Sequence, residues 1–123
     1  MQTVFEIHRT WGWVALAMNG IAGIVALVAW KVPKVRGRWV WIATIVAEVA
    51  ILLQVLLGVI LVSSKEYQAP NFHMFYGYVA FIVVAGLFAY RREAWLKARS
   101  QLVYGAAGLF IMGLAIRAIL QVE

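Results

Sequence analysis

The two histidines of the chain, His8 and His73, each begin a copy of one eight-residue pattern. Residues 8–15 (HRTWGWVA) and residues 73–80 (HMFYGYVA) share the pattern His-x-x-aromatic-Gly-aromatic-Val-Ala, and the two copies lie 65 positions apart (73 minus 8). Such self-similarity indicates a duplicated structural unit. Because an imidazole nitrogen is a common metal ligand, two histidines at equivalent places in two equivalent helices can face each other across one metal site.

Long apolar segments must position these histidines. The chain is 65% hydrophobic, has a mean hydropathy of +0.88 and carries only 13% charged residues, which is too apolar for a soluble domain of this size. Uncharged runs extend over about residues 11–30 (or from a little earlier), 39–62, 72–90 and 102–120. Each run has about the 20 residues that a membrane-spanning helix requires.

These segments predict an all-α integral membrane protein. We expect one domain, residues 1–123, folded as a four-transmembrane-helix bundle in up-down-up-down order. The bundle would contain two parallel helix-hairpin repeats, at about residues 5–63 and 70–121, with both termini outside the membrane. The chain has no cysteine, so disulfides, iron–sulfur clusters and thiolate chemistry are excluded. We expect no cleavable signal peptide, because the N-terminus is acidic at Glu6 and lacks a basic region.

The basic residues set the predicted orientation. Eight of the eleven Lys and Arg residues lie in two links, residues 31–38 and 91–99, which the positive-inside rule assigns to the cytoplasm. Both termini and the loop at residues 63–71 then face outward, in a cell membrane that we expect to be a prokaryotic plasma membrane. The net charge of +6 therefore reflects topology and contact with anionic lipid, not nucleic-acid binding.

Small residues lie beneath each histidine on the same helix face. At positions i+4 and i+7 from His8 are Gly12 and Ala15, and at the same offsets from His73 are Gly77 and Ala80. This repeated strip leaves room for a flat, bulky group under each imidazole, at similar depth near the outer surface. We expect helix three to continue through Arg91 toward residue 95, since the repeat implies equal depths for the two histidines.

Three interpretations of the histidines remain open. They are interfacial polar groups above glycines that serve helix packing, ligands of a zinc or copper ion, or the two axial ligands of one haem. The zinc or copper site has too few donors, because neither acids nor cysteines accompany the two imidazoles. The haem interpretation accounts for the room as well as for the ligands, and it predicts one haem b per chain.

The order of short motifs resembles that of the haem A synthase family. Residues 8–12 (HRTWG) resemble the His-Arg-x-x-Gly motif that opens helix one, and residues 53–58 (LQVLLG) resemble the Gln-x-x-Leu-Gly motif of helix two. A short outer loop containing Pro70 then leads to His73, again as in that family. The resemblance covers almost the whole chain but only one of the two four-helix bundles that family members carry in tandem.

The resemblance implies that His8 and His73 are axial haem ligands. The family also has a functionally important glutamate three residues before the first histidine, where this chain has Phe5; Glu6 occupies a different part of the helix surface. The resemblance therefore implies haem binding more strongly than it implies haem hydroxylation.

Other polar residues lie within the apolar segments or near their outer ends. Arg9 and Arg117 are candidate partners for haem propionates, against the alternative that they extend to the lipid headgroups. A protonated Glu48 is expected to hydrogen-bond Asn19 or Thr44, against the alternative that Glu48 belongs to a proton relay. Gln54 is expected to donate either to a cofactor edge or to a backbone carbonyl.

The leading hypothesis is a membrane b-type haem protein for electron transfer or haem handling, with His8, His73, Gly12, Gly77, Arg9 and Arg117 at the cofactor. The alternatives are a half-length oxidoreductase similar to haem A synthase, acting as a homodimer, and a cofactor-free accessory subunit of a membrane complex. A quinone or a periplasmic redox protein would suit the first hypothesis as a partner. Enzymatic activity is left open.

Overall fold

The fold is all-helical in the computed structural model, which describes residues 1–122. About 85% of the chain is helix, and the described residues contain no strand. The long helices are α1 (Gln2–Lys31), α2 (Arg38–Ser63), α3 (Asn71–Ala89) and α5 (Ser100–Leu120). A single 3₁₀ turn, Pro33–Val35, follows α1, and the short helix α4 (Ala94–Ala98) precedes α5. The four long helices are long and apolar enough to span a membrane, which confirms the predicted number of spanning segments.

Local chemistry explains where the first helix ends. Pro33 pushes the preceding residue out of the helical region, and Val32 has the extended angles φ −119° and ψ 95°. The Arg36 side chain then donates hydrogen bonds of 2.7 and 2.8 Å to the carbonyls of Ala29 and Trp30, which have lost their helical partners.

The third helix is shorter than expected. It ends at Ala89 instead of continuing through Arg91 toward residue 95. The Arg91 guanidinium donates a 2.6 Å hydrogen bond to the Phe88 carbonyl, and the amide of Glu93 donates to the Tyr90 carbonyl in a turn. These bonds satisfy the end of the helix and redirect the chain into α4, so the prediction of a longer third helix was wrong.

The long helices form a bundle in which α1 and α3 occupy opposite corners. Helix α1 packs on α2 and α5, α3 packs on the same two helices, and α1 and α3 do not pack on each other. The closest approach is between α1 and α5: a Cβ at Gly23 would lie 2.9 Å from the Gly105 carbonyl oxygen, and one at Gly108 would lie 2.8 Å from that of Asn19. Glycine at these positions lets the two backbones touch, as small residues do between membrane helices.

Candidate histidine site

The two histidines meet across the bundle. His8 comes from α1 and His73 from α3, and their ring centroids lie 6.2 Å apart with the ring planes at 79°. Both side chains are half-buried. Since α1 and α3 occupy opposite corners, the two imidazoles bridge the middle of the bundle at one end.

The ring of His73 is oriented by α5. Its Nδ1 lies 2.8 Å from the carbonyl oxygen of Ala118. A carbonyl can only accept, so Nδ1 carries the proton and Nε2 keeps a free lone pair. Metal-binding histidines are commonly oriented in this way, with one ring nitrogen donating to a backbone carbonyl. His73 is therefore prepared to act as a ligand through Nε2.

The ring and the backbone of His8 are both held by α2. Gln54 Nε2 donates a 2.7 Å hydrogen bond to the His8 carbonyl oxygen. The His8 ring lies over Gly58, where an added Cβ would be 3.1 Å from Cε1 and 3.6 Å from Nε2. Gln54 and Gly58 lie one helical turn apart, so a single face of α2 positions the histidine.

Two polar atoms at this contact have no partner. His8 Nδ1 and Gln54 Oε1 are both buried, and no atom of residues 1–122 hydrogen-bonds either of them. Buried polar atoms are normally satisfied, because leaving one unpaired costs about 1–3 kcal/mol. The unpaired His8 nitrogen and Gln54 oxygen can therefore each hydrogen-bond a ligand or a water molecule beside His8.

The two glycines beneath the histidines have different surroundings. A Cβ on Gly12 would lie 2.9 Å from Gln54 Nε2, so this glycine admits the amide that holds His8. A Cβ on Gly77 would meet nothing within 4 Å. Open space therefore exists beneath His73 only, whereas the sequence predicts it beneath both histidines. Close packing against Gln54 is the physical reason for the difference.

The two candidate arginines lie on the surfaces of α1 and α5. Arg9 and Arg117 are both exposed, and Arg117 directly precedes Ala118, the residue that accepts from His73. Phe5, at the position of the family glutamate, stacks on Tyr67 of the loop between α2 and α3, with ring centroids 4.8 Å apart. The stacked pair ties this loop to the first turns of α1.

The donor set limits which metal group could be held. Within the part of the chain that the structure describes, no three His, Cys, Asp or Glu side chains come close enough together to hold a metal ion. Two imidazoles alone fall short of the four ligands of a typical zinc site. They suffice for an iron ion that brings its own four equatorial nitrogens in a porphyrin.

The polar residues deeper in the bundle bind backbone carbonyls. Asn19 Nδ2 donates to Ala15 and Ala47, at 2.9 and 3.1 Å, and Thr44 Oγ1 donates to Val40 at 3.0 Å. The sequence predicts a hydrogen bond from Glu48 to Asn19 or Thr44. Neither bond is formed among the described residues, where both side chains donate to main-chain oxygens instead.

Of the two expectations for Gln54, the structure shows the hydrogen bond to a backbone carbonyl, that of His8, whereas the identity of that partner and the contact of Gly58 with the His8 ring were not predicted. Gln54 and Gly58 both belong to the Gln-x-x-Leu-Gly motif, which marks them as candidates, but nothing in the apolar pattern of α2 indicates which helix they face.

Comparison with known proteins gives no match to a family model, a curated protein or a solved structure.

Proposed function

We propose that the protein binds one b-type haem between His8 and His73 and transfers electrons within a membrane. The observation that carries the proposal is the ring separation of 6.2 Å. Metal–imidazole bonds are about 2.0 Å long, and a five-membered ring with bonds of about 1.33 Å places each nitrogen about 1.1 Å from its centre. Two imidazoles on opposite sides of one iron therefore have centres about 6.2 Å apart.

The surroundings of the two rings fit this group. His73 is oriented through Nδ1 and keeps Nε2 free, and His8 Nδ1 is buried without a partner. The space at Gly77 gives the edge of a flat macrocycle room beside His73.

Two axial histidines suit a carrier better than a catalyst. A haem held in this way supplies reversible one-electron chemistry, and its iron has no open position for a substrate. The protein residues would bury the group, fix the ligand orientation and neutralise its propionates, the last through Arg9 and Arg117. A quinone or a periplasmic redox protein is the proposed electron partner.

The same proposal includes an orientation. The basic links at residues 31–38 and 91–99 would lie in the cytoplasm of a prokaryote, in accordance with the positive-inside rule. The helices would then run up-down-up-down as two parallel repeats, with both termini and the histidine pair toward the outer face of the plasma membrane. Cysteine substitutions at Thr3 and Arg99, labelled by a membrane-impermeant thiol reagent in intact cells, test this: only the first should react.

The visible spectrum of the purified protein tests haem binding. We expect a low-spin haem spectrum, with a sharp α-band on reduction, that is lost in His8→Ala and in His73→Ala. Trp13→Ala is the matched control, since Trp13 also belongs to α1 and is 55% exposed. A protein that stays colourless after haem addition would exclude the proposal and favour a cofactor-free accessory subunit.

A half-length oxidoreductase similar to haem A synthase is the second candidate. It is favoured by the convergence of the two motif residues of α2, Gln54 and Gly58, on His8. Oxidation of a haem methyl group would need a second haem-binding bundle, which a homodimer supplies. Pigment extraction separates the candidates: haem A or its alcohol precursor indicates synthase chemistry, and haem b alone indicates electron transfer.

A further inference from the structure

A second polar site lies deeper in the bundle, around Glu48. This carboxyl is 4% exposed, and it precedes Gln54 by six residues, about 9 Å along the helix axis. Of the five carboxylic side chains in the sequence, it is the one buried among the described residues. Ionisable groups at membrane depth are costly to keep, so one that is present is a functional candidate by default.

Glu48 lines a small cavity between all four long helices. Asn19 of α1, Thr44 of α2, Leu87 of α3 and Tyr104 of α5 share the cavity with it. The cavity offers about 10 Å³ of room for the centre of a water molecule. That room is enough for about one water, which needs two to four polar partners.

A water molecule in the cavity would supply hydrogen-bond partners for its polar side chains. Asn19 and Thr44 already donate to backbone carbonyls and so turn only acceptor oxygens toward the cavity. No hydrogen bond within residues 1–122 involves Glu48 or the Tyr104 hydroxyl. The α3 wall is apolar at Leu87, so no opposite charge faces the carboxyl from that side. Burial without a cation favours the neutral, protonated carboxyl.

Tyr104 connects the cavity to one end of the bundle. Its side chain is 6% exposed, it lines the cavity together with Glu48, and it packs edge-on against Trp41 with ring centroids 5.1 Å apart. Trp41 follows Arg38, the last residue of the basic link at residues 31–38, by three positions. The phenol therefore lies between the buried carboxyl and the end of the bundle that carries the basic links.

We propose that Glu48 and Tyr104 enclose one bound water and form a proton-binding site that exchanges protons with the basic end of the bundle. The step is proton uptake from water by the Glu48 carboxylate and its return to water through the Tyr104 hydroxyl and the bound water. No electron moves in this step and no haem takes part. The site is therefore independent of the histidine pair and can be tested in protein without cofactor.

Infrared spectroscopy of the purified protein tests this proposal. We expect a C=O stretching band of a protonated carboxyl in membrane-reconstituted protein, which shifts in D₂O and disappears at high pH. Glu48→Gln should remove the band, and Glu6→Gln, at an exposed carboxyl of α1, should leave it unchanged. Tyr104→Phe should keep the band but shift its frequency and slow its exchange in D₂O.

Each outcome decides the proposal. If Glu48→Gln does not fold, Glu48→Asp keeps a carboxyl with one methylene fewer, and the band should shift. Absence of the band from the unmodified protein at every pH, or its survival in folded Glu48→Gln, would overturn the assignment to Glu48. Identical frequency and exchange rate in Tyr104→Phe would overturn the route through Tyr104.

Discussion

The side-chain amide of Gln54 donates a 2.7 Å hydrogen bond to the backbone carbonyl of His8. This bond links α2 to α1 at the level of the histidine pair, and Gly58, one turn further along α2, contacts the ring of the same histidine. The position of one proposed ligand is therefore set by two residues of α2.

Removing this link should loosen His8. Gln54→Leu keeps the side-chain volume but deletes the donor, and interhelical hydrogen bonds of this kind contribute about 0.6–1 kcal/mol. We expect a small loss of thermal stability together with weaker haem retention, measured by unfolding in detergent and by haem transfer to apomyoglobin. Gln101→Leu, at a glutamine that accepts only from its neighbour Ser100, is the control. Equal haem retention in both variants would contradict a positioning role for Gln54.

The repeated glycines should respond differently to a methyl group. Gly12→Ala places its Cβ 2.9 Å from Gln54 Nε2, the end of a flexible side chain, so the amide must move, its bond to the His8 carbonyl weakens, and stability should fall by up to about 1 kcal/mol. Gly77→Ala meets nothing within 4 Å, and the higher helix propensity of alanine should make the cofactor-free protein equally stable or more stable by up to about 1 kcal/mol. Haem affinity should nevertheless fall in Gly77→Ala, because the methyl group enters the proposed haem space. Thermal unfolding and haem titration measure both effects, and unchanged haem affinity in Gly77→Ala would argue against haem at that face.

The contact between α1 and α5 should be the most sensitive packing site. Gly23→Ala brings a Cβ to 2.9 Å from the Gly105 carbonyl oxygen, and this backbone atom cannot rotate away. We expect a loss of about 1–3 kcal/mol by the cost of overpacking. Gly86→Ala is the matched control, because its Cβ would meet nothing within 4 Å. A stability loss of the same size in both variants would show that the close approach between α1 and α5 does not govern the response, since alanine has the higher helix propensity.

Charge at the outer end should tune the proposed haem. Reduction adds one negative charge, so nearby positive groups favour the reduced form, and Arg9→Gln or Arg117→Gln should lower the midpoint potential. Arg99→Gln is the control, since Arg99 lies 18 residues before Arg117, about 27 Å along α5 and well beyond the screening length. Spectroelectrochemical titration gives the potentials. Values equal to that of the unmodified protein in both Arg9 and Arg117 variants would remove their role as propionate partners.

The apolar runs were sufficient to predict the four spanning helices, because helix length and hydropathy are properties of contiguous sequence. They could not predict that α1 begins at Gln2, since the polar residues Glu6 and Arg9 interrupt hydropathy without interrupting helical hydrogen bonding. The length of α3 was also overestimated, because the end of this helix depends on the side chain of Arg91.

Contacts at the site were predictable only where the repeat constrained them. The repeat placed His8 and His73 at matching helix positions, and the two rings are adjacent in the structure. The rotation of α2 about its own axis had no such signal, because this helix is apolar on nearly every face and shows no amphipathic stripe. The partners of Gln54 and Gly58 therefore emerged only from the packed bundle.

Axial ligation is tested most directly by chemical rescue of the iron coordination. The protein reconstituted with haem should give a low-spin electron paramagnetic resonance signal at one haem per chain, and His8→Gly or His73→Gly should convert it to high spin. Added imidazole should restore the low-spin signal in each glycine variant, since the free ligand can occupy the space that the side chain leaves. A low-spin signal that persists in either variant without imidazole, or an unmodified protein that binds no haem, would contradict the account.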